Sequence, residues 1–298
     1  MRRVRTLLLM AVGVVAVSMS GPLMAAMVVP PLAIAFWRNA MATGLLAPSA
    51  LSTRRRELTS LGSRQLLLVA LSGLALAVHF ATWVTSLTLT SVASATALVS
   101  LQLAWVVAWQ LLRGERFGPG VVAGLLLAFV GVLVVSGVDL SLSLRALAGD
   151  GLALVGGLTA AAYMIVGSRA RQTMSTTTYT FVCYGTCSVA LAVAALVAGQ
   201  QLAGYDGGQW LLLVAVTLTA QLLGHSVFNH LLATTSPVLV SLAILLEVPG
   251  AALLAAWWLD QQPPVAALVG LGVILAGMSL VIVSNRAAVE AVVEPPVD

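Results

Sequence analysis

Long apolar runs, each about 20 residues and broken by short stretches of Pro, Gly, Ser and charged residues, follow one another along almost the whole chain. Run length carries the assignment, because a helix that is apolar all round shows little 3.6-residue period. The runs predict ten helices, at about 6–26, 29–48, 64–85, 91–112, 118–137, 149–169, 177–198, 208–232, 237–259 and 264–284, each long enough to cross a bilayer. Pro30 and Pro31 open the second helix, Gly118 and Pro119 the fifth, and Pro263 and Pro264 the tenth. A first turn suits proline, whose missing N–H has no helical acceptor there anyway.

Composition agrees with the runs. The chain has 298 residues, 60% hydrophobic and 8% charged, with a mean hydropathy of +1.05. Soluble domains carry about a quarter charged residues, so lipid is the implied solvent. Ten spans use roughly two thirds of the chain and leave no room for a soluble domain. The formal charge of +4 comes from arginines scattered among the apolar runs, which argues against nucleic acid.

Placement of the arginines gives an orientation. With the N-terminus cytoplasmic, Arg2, Arg3, Arg5, Arg54, Arg55, Arg56, Arg64, Arg113, Arg116, Arg169, Arg171 and Arg286 all fall on the cytoplasmic side. Arg145 alone lies outside, and Arg38 is inside a helix. Both chain ends are then expected in the cytoplasm of a cell (inner or plasma) membrane protein. Arg2, Arg3 and Arg5 before an apolar run mimic a signal peptide; removing that run would leave nine spans, so it reads as an uncleaved first helix. The outer loops carry Asp139, Asp150, Asp206 and Asp260. The tail from about Asn285, with two prolines and three acids, reads as disordered.

The two halves resemble each other. Gly124 and Gly131 align with Gly270 and Gly277, and His79 with His225, at an offset of 146; Ser91, Thr96 and Gln102 align with Ser236, Ser241 and Glu247 at 145. Five helices per half is an odd number, so the second half enters from the opposite face. The expected architecture is all-α, with two inverted five-helix repeats (1–137 and 149–284) joined by an outer loop at 138–148. Inverted repeats recur in secondary transporters, with the site near the midplane.

Several stretches carry a family resemblance: Pro30-Pro31-Leu-Ala-Ile-Ala-Phe36-Trp37-Arg38 in the second helix, Leu112-Arg-Gly-Glu115-Arg116 after the fourth, Gly149-Asp150 opening the sixth, and Leu246-Glu247 with Pro249 in the ninth. In order and over nearly the whole chain, they resemble the EamA-type drug/metabolite transporter superfamily. The resemblance implies ten helices, cytoplasmic ends, and outward transport of small metabolites such as amino acids or toxic organic compounds. The chain departs from the family pattern where Val248 separates Glu247 from its proline, where Met19-Ser20-Gly21-Pro22 replaces a Trp-Gly, and where the ninth helix ends Leu259-Asp260-Gln261.

Candidate site residues are the polar groups inside apolar helices. A charge at a helix centre costs about 2.5–3.5 kcal/mol on insertion scales. Arg38 and Glu247 each lie about ten residues, or roughly 15 Å, from a helix end. Either they face the bundle interior as gating groups, Glu247 taking and losing a proton, or they lock helices together. Pro249 leaves the Leu245 carbonyl without its helical donor and weakens the helix beside the carboxylate. Gln221, His225 and Asn229 at i, i+4 and i+8 predict a polar stripe on one face of the eighth helix. His79 and Trp83 repeat that spacing in the third, and Gln102 and Tyr163 sit at similar depth. Cys183 and Cys187 share a helix face and read as small packing residues; no metal site is expected.

No HExxH, Gly-x-Ser-x-Gly or Walker sequence occurs. The expectation is a cofactor-free secondary exporter of small organic molecules working by alternating access, as monomer or homodimer, with proton coupling as its subordinate part. A channel or sensor of small solutes, and an enzyme acting on lipids, are the alternatives.

Overall fold

The computed structural model describes residues 2–137 and 143–284, and these residues form helices without strands. The first half comprises α1 (Arg2–Ser18), α2 (Ser20–Ala25), α3 (Pro31–Thr53), the short α4 (Arg55–Thr59), α5 (Ser63–Ser86), α6 (Val92–Val99), α7 (Gln102–Leu112) and α8 (Pro119–Gly137). The second comprises α9 (Leu144–Arg171), α10 (Thr176–Val197), α11 (Gly207–Val216), a π-helical segment (Thr217–His225), α12 (Ser226–Leu231), α13 (Pro237–Ile244), α14 (Glu247–Trp258) and α15 (Val265–Ser284). Among the described residues, eight helical stretches are long and apolar enough to cross a membrane by length and composition, and Pro119–Val135 is a shorter apolar helix. Pro31–Thr53, with Arg38 and Asn39 in its first half, is not one of the eight. Leu7, Leu66, Leu126, Leu211, Leu253 and Val269 lie exposed on the outside, as lipid-facing residues do.

Helix starts follow from local chemistry. The side chains of Ser91, Ser143, Ser175, Asp206 and Ser236 each accept the backbone N–H three residues on, satisfying one of the orphan donors of a first turn. The Ser143 cap starts α9 at Leu144, five residues before the expected 149, so Asp150 lies buried inside α9 and not in an outer loop. The remaining loop residues, 138–142, and the tail from Asn285 expected to be disordered lie outside the described residues.

Four of the expected helices are not regular throughout. The first breaks at Met19, the fourth at Ser100–Leu101 and the ninth at Leu245–Leu246, while the eighth passes through the π-helical segment.

Glycines set the closest helix contact. α8 and α15 run antiparallel, with Gly124 against Gly277 and Gly131 against Gly270. A Cβ on Gly277 would stand 2.5 Å from the Ala128 backbone nitrogen, and one on Gly131 would stand 2.7 Å from the Gly270 carbonyl oxygen. Small residues let backbones meet where lipid supplies no hydrophobic push. Gly277→Leu is expected to lower the unfolding temperature in detergent by several degrees, since overpacking costs about 1–3 kcal/mol. Gly272→Leu, where a Cβ meets open space, is the control; equal melting of the two would refute the seam.

At one end of the bundle, the Ser175 backbone N–H donates to a Glu57 carboxylate oxygen at 2.6 Å, tying α4 to the start of α10. Burial pushes this carboxyl up, but hydrogen bonds from Ser175 and Thr178 and the charge of Arg54 outweigh it and hold its pKa below the usual range. A depressed folded-state pKa stabilises above the unfolded value, and the gain is lost as pH falls through the folded one. Glu57→Gln should therefore cost up to about 1 kcal/mol near neutrality, this being a solvent-screened contact. The difference should fade as pH drops below 4.5, the ordinary value. Melting curves of both proteins from pH 7 to 3.5 check it; a gap independent of pH refutes it.

Candidate functional site: a polar cavity between two broken helices

The two breaks in α6–α7 and α13–α14 have the same backbone pattern. Leu101 N–H bonds to the Leu98 carbonyl and Leu246 N–H to the Ala243 carbonyl, each an i→i−3 turn that interrupts the α-helical ladder. At the second break Pro249 lacks an N–H, and Val248 donates to the Leu245 carbonyl at 3.2 Å in its place. At the first break there is no proline. There α9 presses in at Gly157, where a Cβ would stand 2.8 Å from the Val99 carbonyl oxygen. The first residue after each break is Gln102 or Glu247, the pair aligned at offset 145.

Between these breaks lies a cavity of about 30 Å³. His79, Trp83, Gln102, Tyr163, His225, Asn229 and Glu247 all line it, and these are seven of the ten residues singled out from sequence. His79 and Trp83 stack with ring centroids 5.6 Å apart and planes at 19°. His79 donates from Nδ1 to the Gly156 carbonyl oxygen at 3.0 Å, so a neutral ring presents Nε2 as an acceptor. The His225 ring stands 6.4 Å from His79 and 6.4 Å from Tyr163. Tyr163 donates its hydroxyl to Asn229 Oδ1 at 2.6 Å, and Asn229 Nδ2 donates to the Tyr184 hydroxyl at 3.3 Å. Two buried cavity-lining groups have no hydrogen-bond partner, the Trp83 indole N–H and Glu247 Oε1.

The other three singled-out residues are elsewhere. The expected stripe of Gln221, His225 and Asn229 does not hold together. In the π-helical segment the backbone closes i→i+5, Ser226 N–H bonding to the Gln221 carbonyl, and the wider turn rotates Gln221 off the face it would share with His225 in an α-helix. Gln221 instead accepts from Arg38 Nε at 2.8 Å and donates to Asn39 Oδ1 at 3.0 Å. Arg38, fully buried, also donates to Ser20 Oγ at 3.1 Å, contacts the Met24 sulfur at 3.3 Å, and lies 4.1 Å from the centre of the Phe80 ring. Phe80 in turn packs edge-on to His225 at 5.3 Å, standing between the guanidinium and the cavity. Pro249 shapes the break and does not line the cavity.

Not singled out from sequence were Ser100 on the cavity wall and Ser20, Asn39, Phe80 and Tyr184 around it. Asn39, a polar residue beside Arg38 in an apolar helix, was the available signal; Phe80 and Tyr184 give none, since aromatic residues pack anywhere. Cys183 and Cys187 are buried free thiols. Among the described residues no three His, Cys, Asp or Glu side chains gather as a metal site.

A membrane-embedded helical protein with two broken helices around a polar cavity has the build of a transporter. The EamA-like transporter family model matches residues 4–137 and, a second time, residues 147–283. The chain belongs to that family, part of the drug/metabolite transporter superfamily, and is a multi-pass membrane protein. One solved protein crystal structure is similar over 95% of this chain and 99% of its own, with a TM-score of 0.73 and 17% identity; at that identity the likeness is one of fold. No curated protein matches the chain.

Gln221→Leu tests the Arg38 cluster. It removes partners of both Arg38 and Asn39, so a stability loss of at least about 2 kcal/mol is expected in detergent. Wild-type melting of this variant would show that the cluster contributes nothing.

Proposed function

We propose that the protein is a secondary exporter of small organic metabolites or drug-like compounds. It has ten spans in two inverted five-helix repeats, with both chain ends in the cytoplasm of the cell membrane. One observation carries this reading: both broken helices border one small cavity, at Gln102 and at Glu247. Unwound backbone inside a bilayer is tolerated only against protein or a wet cavity.

The inverted relation has further support. His79 and His225, matched at offset 146, meet at 6.4 Å. Gly124–Gly277 and Gly131–Gly270 exchange under the same offset, as contacts across a two-fold axis do. A cavity of about 30 Å³ holds one or two waters and no organic solute, whereas ligand pockets run to about 300–1,000 Å³. Loading therefore requires the halves to part, and a site enclosed between loading and release operates as a carrier. Glu247, buried and with one oxygen unpartnered, is the group that exchanges a proton with the solute.

Reconstituted protein should exchange solute from a broad metabolite panel by saturable counterflow. Glu247→Gln should abolish flux driven by a pH gradient while leaving the protein folded. Linear, non-saturating flux would convert the reading to a channel; unchanged pH-driven flux in the variant would remove the proton from the mechanism.

A further inference from the structure

On the lipid side of α7 and α8 an apolar groove of about 340 Å³ runs inward to the helix breaks. Its one polar lining residue is Ser100, and Ser100 also lines the central cavity. At the other break the two spaces are again neighbours, Leu245 facing the groove and Ile244 the cavity. The two spaces thus adjoin at the unwound turn of each broken helix. The groove exists because α8 makes its close contacts with α15 and α6 and leaves α7 uncovered. The facing α7 side chains at Ala104 and Ala108 are small; the positions 145 residues on are Pro249 and Leu253. Leu111, Leu126 and Phe129 at its rim are exposed, so the groove opens to the bilayer core.

We infer that the solute is an amphiphile that reaches the central cavity sideways from the bilayer. Its apolar body travels the α7–α8 groove, and its head passes the Ser100–Leu101 and Leu245–Leu246 turns. This rests on the transport reading and names its substrate class. The head is defined by the two unsatisfied groups in the cavity: Trp83 Nε1 requires an acceptor, and Glu247 Oε1 requires a donor, best an ammonium. Rings of His79, Trp83 and Tyr163 beside them suit a cationic or aromatic head. An apolar body suits the groove, which offers nothing to hydrogen-bond beyond one hydroxyl, and that hydroxyl already donates to the Thr96 carbonyl.

Naphthylalanine amide supplies all three parts, an ammonium, a carbonyl and an apolar bicycle, and it is fluorescent. Glycinamide has the same head and no body. With full-length protein in lipid nanodiscs, the naphthyl amide should bind at least tenfold more tightly than glycinamide. Glu247→Gln and Trp83→Phe should each weaken it about tenfold. Ala104→Phe, and Leu126→Trp on the opposite wall as a second variant, should slow binding and release in parallel by at least fivefold in stopped flow, with Kd unchanged. Wild-type rates in both groove variants, equal affinity for the two amides, or no binding at all would overturn the inference. Protein that exchanges other solutes in counterflow yet ignores the naphthyl amide refutes the substrate class alone; protein that binds it yet exchanges nothing refutes transport.

Discussion

A carbonyl inside a bilayer has no water to turn to, and leaving it unpaired costs several kcal/mol. That constraint governs how α6–α7 and α13–α14 can be broken. Pro249 removes the donor that the Leu245 carbonyl would use, and Val248 takes over through a tighter turn at 3.2 Å. At the first break Gly157 brings the α9 backbone onto the turn itself, so protein covers what lipid would leave bare. The helix ends so created point into a common space lined by Gln102 and Glu247. The cavity is thus a by-product of interrupting two helices whose freed backbone is covered by protein.

The same logic separates the two buried charges. Arg38 is surrounded by neutral donors, acceptors and a ring: Gln221, Ser20, Met24 and Phe80. A guanidinium stays charged in proteins, so such a nest fixes α3 against α2 and the π-helical segment and keeps the positive charge behind Phe80. The Arg38 Nη2 nonetheless has no hydrogen-bond partner, and Glu247 likewise carries an unpartnered atom. One of its oxygens is buried with no partner in the cavity wall, and a carboxyl can shed the cost of that position by taking a proton, which an arginine cannot do. One charge is suited to hold, the other to change.

Where the apolar runs lie was legible because run length and proline first turns are local signals, although the second run extends to Thr53 and the sixth begins at Leu144; the family match likewise covers both halves. What escaped the sequence was rotation about a helix axis. An i, i+4, i+8 spacing specifies one face only if every turn has the α pitch, and the π-helical segment violates that between Gln221 and His225. Asp150 was read as a loop residue because an acid usually marks solvent, whereas the Ser143 cap had already begun the helix. The break after Val99 was equally hidden: no proline marks it, and its cause is Gly157, a residue 58 positions away. Seven of the fifteen cavity-lining residues were legible because a polar or aromatic side chain in mid-helix has few other places to go; Ser100 and the apolar lining residues carry no such mark.

Near-symmetry of the halves explains how such a site forms; departures from it explain why its two sides differ in chemistry. Related by the repeat, His79 and His225 contribute alike, and the glycine seam is reciprocal. Gln102 and Glu247 do not: one is a permanent neutral amide, the other an ionisable carboxyl. Ala104 and Ala108 line a lipid-side groove along α7, whereas the apolar space beside α14 is lined by Leu254, Trp257 and Trp258. The sole ionisable member of the aligned pair Gln102 and Glu247 therefore stands on the second broken helix, so the repeat matches backbone breaks but not the charge beside them.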